Sequence, residues 1–134
     1  MFVLDTSVTM TWCYDDEASA DSEALLDRLR SEGATVPALW AVEVANALLV
    51  GERRQRLSEA ELLGFLRLIQ TLPIAIDSLT PMDILGPVRG LARDQSLSVY
   101  DVSFLELALR RGVPLATFHR RLRTAAERVG VAVL

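Results

Sequence analysis

The sequence predicts an α/β domain with a mostly parallel sheet covered by helices on both faces. Three observations predict it. Short, continuously apolar runs recur along the 134 residues. Helix-like stretches with recognisable caps alternate with them, as in chains whose parallel strands are joined by crossover helices. The apolar runs lack the in-and-out alternation of a sheet with one wet face, so the strands are expected to be buried on both sides. A chain of this length normally makes one compact domain, and residues 1–134 contain no linker, internal repeat or low-complexity stretch.

Phe2-Val3-Leu4 is the first strand candidate, and it ends at Asp5-Thr6-Ser7, residues suited to opening a helix. A helix from about Ser19 to Arg30 repeats Ala20, Ala24, Leu25 and Leu29 at helical spacing and stops at Glu32-Gly33. Ala34-Thr35-Val36 is a second strand, because the residue before Pro37 prefers extended backbone. Leu39 to about Arg53 reads as a strongly apolar helix closed by Gly51 and Glu52-Arg53-Arg54. Ser58 and Glu61 make a capping box for the next helix, which continues from Leu62 to Gln70. Ile74-Ala75-Ile76 is a third strand. Thr80-Pro81 opens a helix toward Gln95 that Gly86-Pro87 must kink or delay. Tyr100 to Arg111 is helical with Gly112 as its cap, and Pro114 to Thr117 is a fourth strand. Arg120 to Val129 forms the last helix, and Val131-Ala132-Val133 a fifth short strand.

Composition narrows the function classes. With 51% apolar and 24% charged residues the chain is too hydrophobic for disorder. No apolar run reaches the roughly 20 residues of a membrane-spanning helix. Met1 leads straight into a core strand instead of a signal segment, so a cytoplasmic protein without membrane attachment is expected. The lone Cys13 excludes an internal disulfide and a cysteine-rich zinc site. A net charge of −4 argues against coating nucleic acid by bulk electrostatics, but leaves room for a local basic rim. All 14 basic residues are arginine, and Arg110, Arg111, Arg120, Arg121, Arg123 and Arg128 fall within the last 25 positions. Arginine forks match phosphate oxygens, although solvated arginines on helix faces give the same pattern.

Three carboxylates stand where carboxylates are costly. Asp5 follows Phe2-Val3-Leu4, Glu43 lies inside Leu39–Ala45, and Asp101 lies inside Val99–Leu105. An ionised carboxylate in apolar surroundings needs a partner, so each is either separately satisfied or shares a cation with the others. Asp5 and Asp101 could each be a helix cap, and Glu43 could reach water from the edge of a buried stripe. Asn46, three positions beyond Glu43, shares its helix face. Clustered acids repel and raise one another's pKa unless a divalent cation neutralises them, and an oxygen-only donor set suits Mg²⁺ or Mn²⁺. Such a site can activate a water and hold a phosphodiester oxygen, which is metal-assisted hydrolysis.

Other arrangements fit less well. An aspartyl-nucleophile phosphatase would place a second aspartate where Ser7 stands, and there is no glycine-rich phosphate loop. One histidine cannot build a multi-histidine zinc centre, and no nucleophile elbow surrounds a serine.

Four segments in order resemble the PIN-domain family: Phe2–Ser7, Pro37–Leu48, Ser98–Ala108 and Pro114–Thr117. The nearest form is the VapC-type ribonuclease toxin of type II toxin–antitoxin pairs. The resemblance covers the whole chain and rests on the ordered set, since no single segment is specific. It implies a five-stranded parallel sheet of order 3-2-1-4-5 in a three-layer α/β/α domain, Mg²⁺ or Mn²⁺ dependence, and endonucleolytic cleavage of RNA. It further implies a homodimer and a small antitoxin partner. By position, Asp5, Glu43 and Asp101 correspond to the family's acidic metal-site residues, with Thr6, Ser7, Asn46 and Thr117 as polar supports. Arg120, Arg121 and Arg123 are candidates for holding the RNA backbone.

One position departs from the pattern. The family commonly carries a fourth acid in a Thr-x-Asp sequence after the fourth strand, and this chain reads Thr117-Phe118-His119. Histidine removes a negative charge, and neutral imidazole suits Mg²⁺ less than Mn²⁺ or softer metals. Three expectations follow: a tuned nuclease, a weakened one that keeps its antitoxin, or a histidine facing solvent from a helix N-terminus. The alternative function is a non-catalytic module that grips RNA or antitoxin. Dimerisation is expected from the apolar surplus Leu62, Leu63, Phe65, Leu66, Leu68 and Ile69, part of which core packing must absorb.

Overall fold

Strand β1 (Phe2–Leu4) is the centre of the computed structural model, which describes residues 1–134. Its three side chains have no exposed surface. Successive strand side chains point to opposite faces, so zero exposure at all three means that both faces of the sheet are covered. β1 pairs in parallel with β2 (Ala34–Pro37), Phe2 opposite Ala34, and with β4 (Leu115–Ala116), Leu4 opposite Ala116. β3 (Ile74–Asp77) pairs with β2 and completes a parallel sheet of order β3-β2-β1-β4. The order reverses at β1, where the chain steps out to β2 on one side and returns to β4 on the other.

The helices are α1 (Thr6–Thr11), α2 (Ala20–Glu32), α3 (Leu39–Arg53), α4 (Glu59–Thr71), α5 (Pro81–Asp83), α6 (Arg89–Gln95), α7 (Val99–Arg111) and α8 (Arg120–Arg128). Ser58 and Glu61 make the expected capping box, and Gly33 and Gly112 end α2 and α7 with positive φ. α7 is the main packing helix: Val102, Phe104, Leu105, Leu107 and Ala108 are all buried, and it lies over β1, β2 and β4. Side chains such as Phe104 and Leu105 each contribute about 2 kcal/mol by leaving water. α3 packs on α1 and β2, where the indole N–H of Trp40 donates to Thr9 Oγ1 at 3.0 Å. That buried bond satisfies both polar groups and fixes the two helices that leave the sheet beside each other.

Three local expectations change. Val131–Val133 does not form a fifth strand; it makes one parallel bridge, Leu115 to Val133, flanked by Leu115 N–H to Ala132 O and Leu134 N–H to Leu115 O. β4 is only two residues long because the backbone beyond Ala116 turns to side-chain partners. Phe118 N–H donates to Ser7 Oγ, and His119 N–H to Thr117 Oγ1. Gly51 does not end its helix but lies buried inside α3, where a Cβ would collide with the Tyr14 hydroxyl. Between α5 and α6 the chain stays helical through Gly86-Pro87 by widening into a π turn over Ile84–Val88, which absorbs the missing proline N–H.

Candidate active site

Asp5 leaves the carboxyl end of β1, beside the reversal of strand order, and its N–H bonds Ala116 O of β4. It occupies the N-cap position of α1, yet its side chain makes no capping bond. Instead Oδ2 accepts from Ser7 Oγ at 2.6 Å and from Thr117 Oγ1 at 2.7 Å. The capping explanation for this aspartate therefore falls away. Asp5 is 6% exposed. Burial pushes its carboxyl above the usual range, the two hydroxyls pull it partly back, and the charge of Asp101 pushes it up again.

Glu43 lies half-buried in α3, and its Oε1 accepts from Thr6 Oγ1 at 2.8 Å. Burial raises its carboxyl, the Thr6 hydroxyl opposes this, and the charges of Asp5 and Asp101 both add to the rise. Asp101 is freed from capping because Ser98 Oγ accepts its N–H at 3.1 Å, leaving the Asp101 carboxylate to project from the first turn of α7. No arginine forms an ion pair with any of the three acids; the nearest basic group is His119, whose Nε2 stands 3.7 Å from Asp101 Oδ2. The acids thus share one field of like charge without an organic cation to offset it. As the side chains stand, no three histidine, cysteine, aspartate or glutamate groups close around a single point.

The sequence matches the PIN domain family over residues 2–128. The chain belongs to that family. PIN domains are a family of nucleases, generally dependent on divalent metal ions. The fold is similar to the crystal structure of PAE2754 from Pyrobaculum aerophilum, at 21% identity and TM-score 0.72 over 98% of this chain and 82% of that one. It is also similar to the crystal structure of FitAcB from Neisseria gonorrhoeae, at 22% identity and TM-score 0.65 over 100% of this chain and 96% of that one. No curated protein matches the sequence.

In this PIN domain the supporting positions divide. Thr6, Ser7 and Thr117 are bonded to the acids or to one another, with Ser7 Oγ also 3.4 Å from Thr117 Oγ1. Asn46 is exposed and bonds none of them. His119 does not simply face solvent: Nδ1 accepts the Leu122 N–H at 3.1 Å and caps α8. An accepting Nδ1 places the ring proton on Nε2, so the N–H edge is the one turned toward Asp101. Arg120 and Arg121 are exposed, while Arg123 turns to the opposite side of α8 and donates to Thr117 O at 3.1 Å.

Two contributors escaped the sequence reading. Phe118 N–H, donating to Ser7 Oγ at 3.0 Å, orients the hydroxyl that serves Asp5. Backbone groups carry no sequence signal. The Thr9–Trp40 bond that seats α3 beside α1 was more accessible, because an indole in a buried run requires an acceptor.

Proposed function

We propose that this PIN domain is a Mg²⁺- or Mn²⁺-dependent endoribonuclease that acts as the toxin of a toxin–antitoxin pair. One observation carries the reading. The buried carboxylate of Asp5 shares its field with Glu43 and Asp101, and no arginine pairs with any of them. Purely structural acids would be expected to hold arginines, as Asp77 does with Arg110 and Arg111. The donor set suits a hard divalent cation, since all three groups are oxygen anions and Asp5 and Glu43 gain most from neutralisation.

Asp5, Glu43 and Asp101 would hold the ion, and Thr6, Ser7 and Thr117 would fix the rotamers of Asp5 and Glu43. When bound, a divalent cation supplies charge neutralisation at the attacked phosphodiester and lowers the pKa of water. His119 Nε2 stands 3.7 Å from Asp101 Oδ2, beside that carboxylate but not hydrogen-bonded to it. In this reading the enzyme uses three acids, with the imidazole of His119 at the place of a fourth.

A second reading is favoured by that same imidazole: a module that binds RNA or antitoxin without cutting. Purified protein incubated with a folded RNA in Mn²⁺ and in Mg²⁺ separates the two. Cleavage abolished by Asp5→Asn supports the nuclease. No cleavage with either ion, by a protein that still binds the RNA, supports the module.

The toxin role entails a small antitoxin and a homodimer. Exposed Leu63 and Leu66 on α4, with Leu49 and Val42 on α3, support apolar partner contact, while Phe65 is spent in the core. Growth arrest on expression, relieved by a co-expressed neighbouring antitoxin, tests the role. A monomer in sedimentation at micromolar concentration would remove the dimer.

A further inference from the structure

Eight of the 14 arginines make no ion pair with a carboxylate, and all four in α8 are among them. Three of those four line one groove. Arg120, Arg121 and Arg128 line it together with Gln95, Ser96, Leu97 and Thr124, around a cavity of about 360 Å³. No acid lines it, and Leu97 is its only apolar residue.

The groove is built rather than incidental. Arg121 donates to Ser96 O at 2.9 Å and Arg128 to Gln95 Oε1 at 2.9 Å, so each fork is held across the groove by an uncharged acceptor. Neither is paired with a carboxylate. Ser96 presents that carbonyl from a left-handed backbone conformation that ends α6. Arg120 has no side-chain partner and directly follows His119, the residue turned toward Asp101. The opposite wall, Gln95–Leu97, runs straight into Ser98 and the first turn of α7, which carries Asp101. Both walls are thus continuous along the chain with residues of the candidate active site, His119 on one side and Asp101 on the other.

We infer that this groove grips the phosphodiester backbone of single-stranded RNA flanking the bond to be cut, by charge and without reading sequence. The inference rests on the nuclease reading and adds to it where the strand runs. It also revises the arginine set, with Arg128 joining Arg120 and Arg121, and Arg123 excluded because it donates to Thr117 O and Leu134 O on the other side of the helix. The chemistry selects nucleic acid over a protein segment. Protein interfaces are anchored by buried apolar and aromatic side chains, whereas nucleic-acid interfaces are polar and strongly basic, as this groove is. With no aromatic ring among the lining residues there is no platform for base stacking, which leaves phosphate as the contacted group.

The test is binding rather than turnover. A labelled single-stranded oligoribonucleotide of mixed sequence is titrated against Asp5→Asn protein over a range of NaCl concentrations, with and without Arg120→Gln, Arg121→Gln and Arg128→Gln together. Each phosphate contact on a single strand contributes about 0.7 to the salt slope, so three lost contacts should flatten it by about 2. Replacing the same arginines by lysine should restore most of the slope. A charge-matched control, Arg53→Gln, Arg54→Gln and Arg67→Gln, should leave it near the parent value. Equal flattening in both triple variants overturns the proposal, and so does retained RNA binding with loss of poly-glutamate binding, which would assign the groove to an acidic peptide. If the unsubstituted protein cuts RNA in an Asp5-dependent way while the groove variant keeps its slope, only this inference fails. If nothing is cut but the slope flattens, the nuclease reading fails and the groove stands.

Discussion

Thr117 Oγ1 donates to Asp5 Oδ2 at 2.7 Å, joining residues 112 positions apart across the seam between β1 and β4. The same hydroxyl accepts His119 N–H at 3.0 Å, so one side chain holds the buried acid and the entry to α8 together. A hydrogen bond to a charged group is worth about 2 kcal/mol, and its loss would push the Asp5 carboxyl further up. Thr117→Val is therefore expected to weaken divalent-ion binding roughly tenfold and to move the acid limb of the pH–rate profile to higher pH. Thr117→Ser should restore both. An unmoved limb in Thr117→Val would show that the bond does not tune Asp5.

Asp5 opposes folding when it is ionised and no cation is bound. Its carboxyl is raised by burial, so its favourable contribution belongs to the protonated form, present at low pH and lost as pH rises through the raised value. Asp5→Asn should then stabilise the metal-free protein at neutral pH by about 1 kcal/mol, a common size for such gains. That gain should disappear on acidification. In melting curves the same variant should lose the stabilisation that Mn²⁺ gives the unsubstituted protein. A variant that melts lower at neutral pH, or still responds fully to Mn²⁺, contradicts the assignment.

The parts of the fold written in local chemistry were legible in the sequence. Continuous apolar runs marked all four strands, and Ser58, Gly33 and Gly112 marked helix ends, because caps and positive φ leave signatures within a few residues. The misread ends had distant causes. β4 ends after two residues because Ser7 and Thr117 capture the backbone beyond Ala116, and Gly51 resembled a stop because Tyr14 is far from it in sequence. The acids could be nominated from their cost in apolar runs. What could not be read was which capping explanation would fail: Asp5 spends its carboxylate on Ser7 and Thr117, and Ser98 does the capping that Asp101 could have done.

His119 stands beside Asp101, with its Nε2 3.7 Å from Oδ2, and caps α8 through Nδ1. Aspartate is itself a good N-cap, so His119→Asp keeps the helix start while adding a fourth negative charge. The metal-free protein should lose about 1 kcal/mol from like-charge repulsion. Mg²⁺ should bind more tightly, and Mg²⁺-dependent cleavage should rise. Calorimetric titration and a cleavage assay check these together. Unchanged Mg²⁺ affinity would mean that the position lies outside the ion's reach.

The buried acid held by two arginines should respond to pH in the opposite sense from Asp5. Asp77, buried at the end of β3, receives both forks of Arg110, at 2.6 and 3.2 Å, and Arg111 at 2.6 Å, from the last turn of α7. Arg110 first, and then Arg111, hold its carboxyl below the usual range against the effect of burial. A lowered folded pKa stabilises above the ordinary carboxylate value of about 3.9, and that stabilisation is lost as pH falls through the lowered value. Asp77→Asn should cost about 2 kcal/mol at neutral pH, below the figure for a fully buried pair because the arginines reach water. The gap between variant and parent should close in melts taken at progressively lower pH. A constant gap at every pH would place the loss in packing between β3 and α7 instead of in charge.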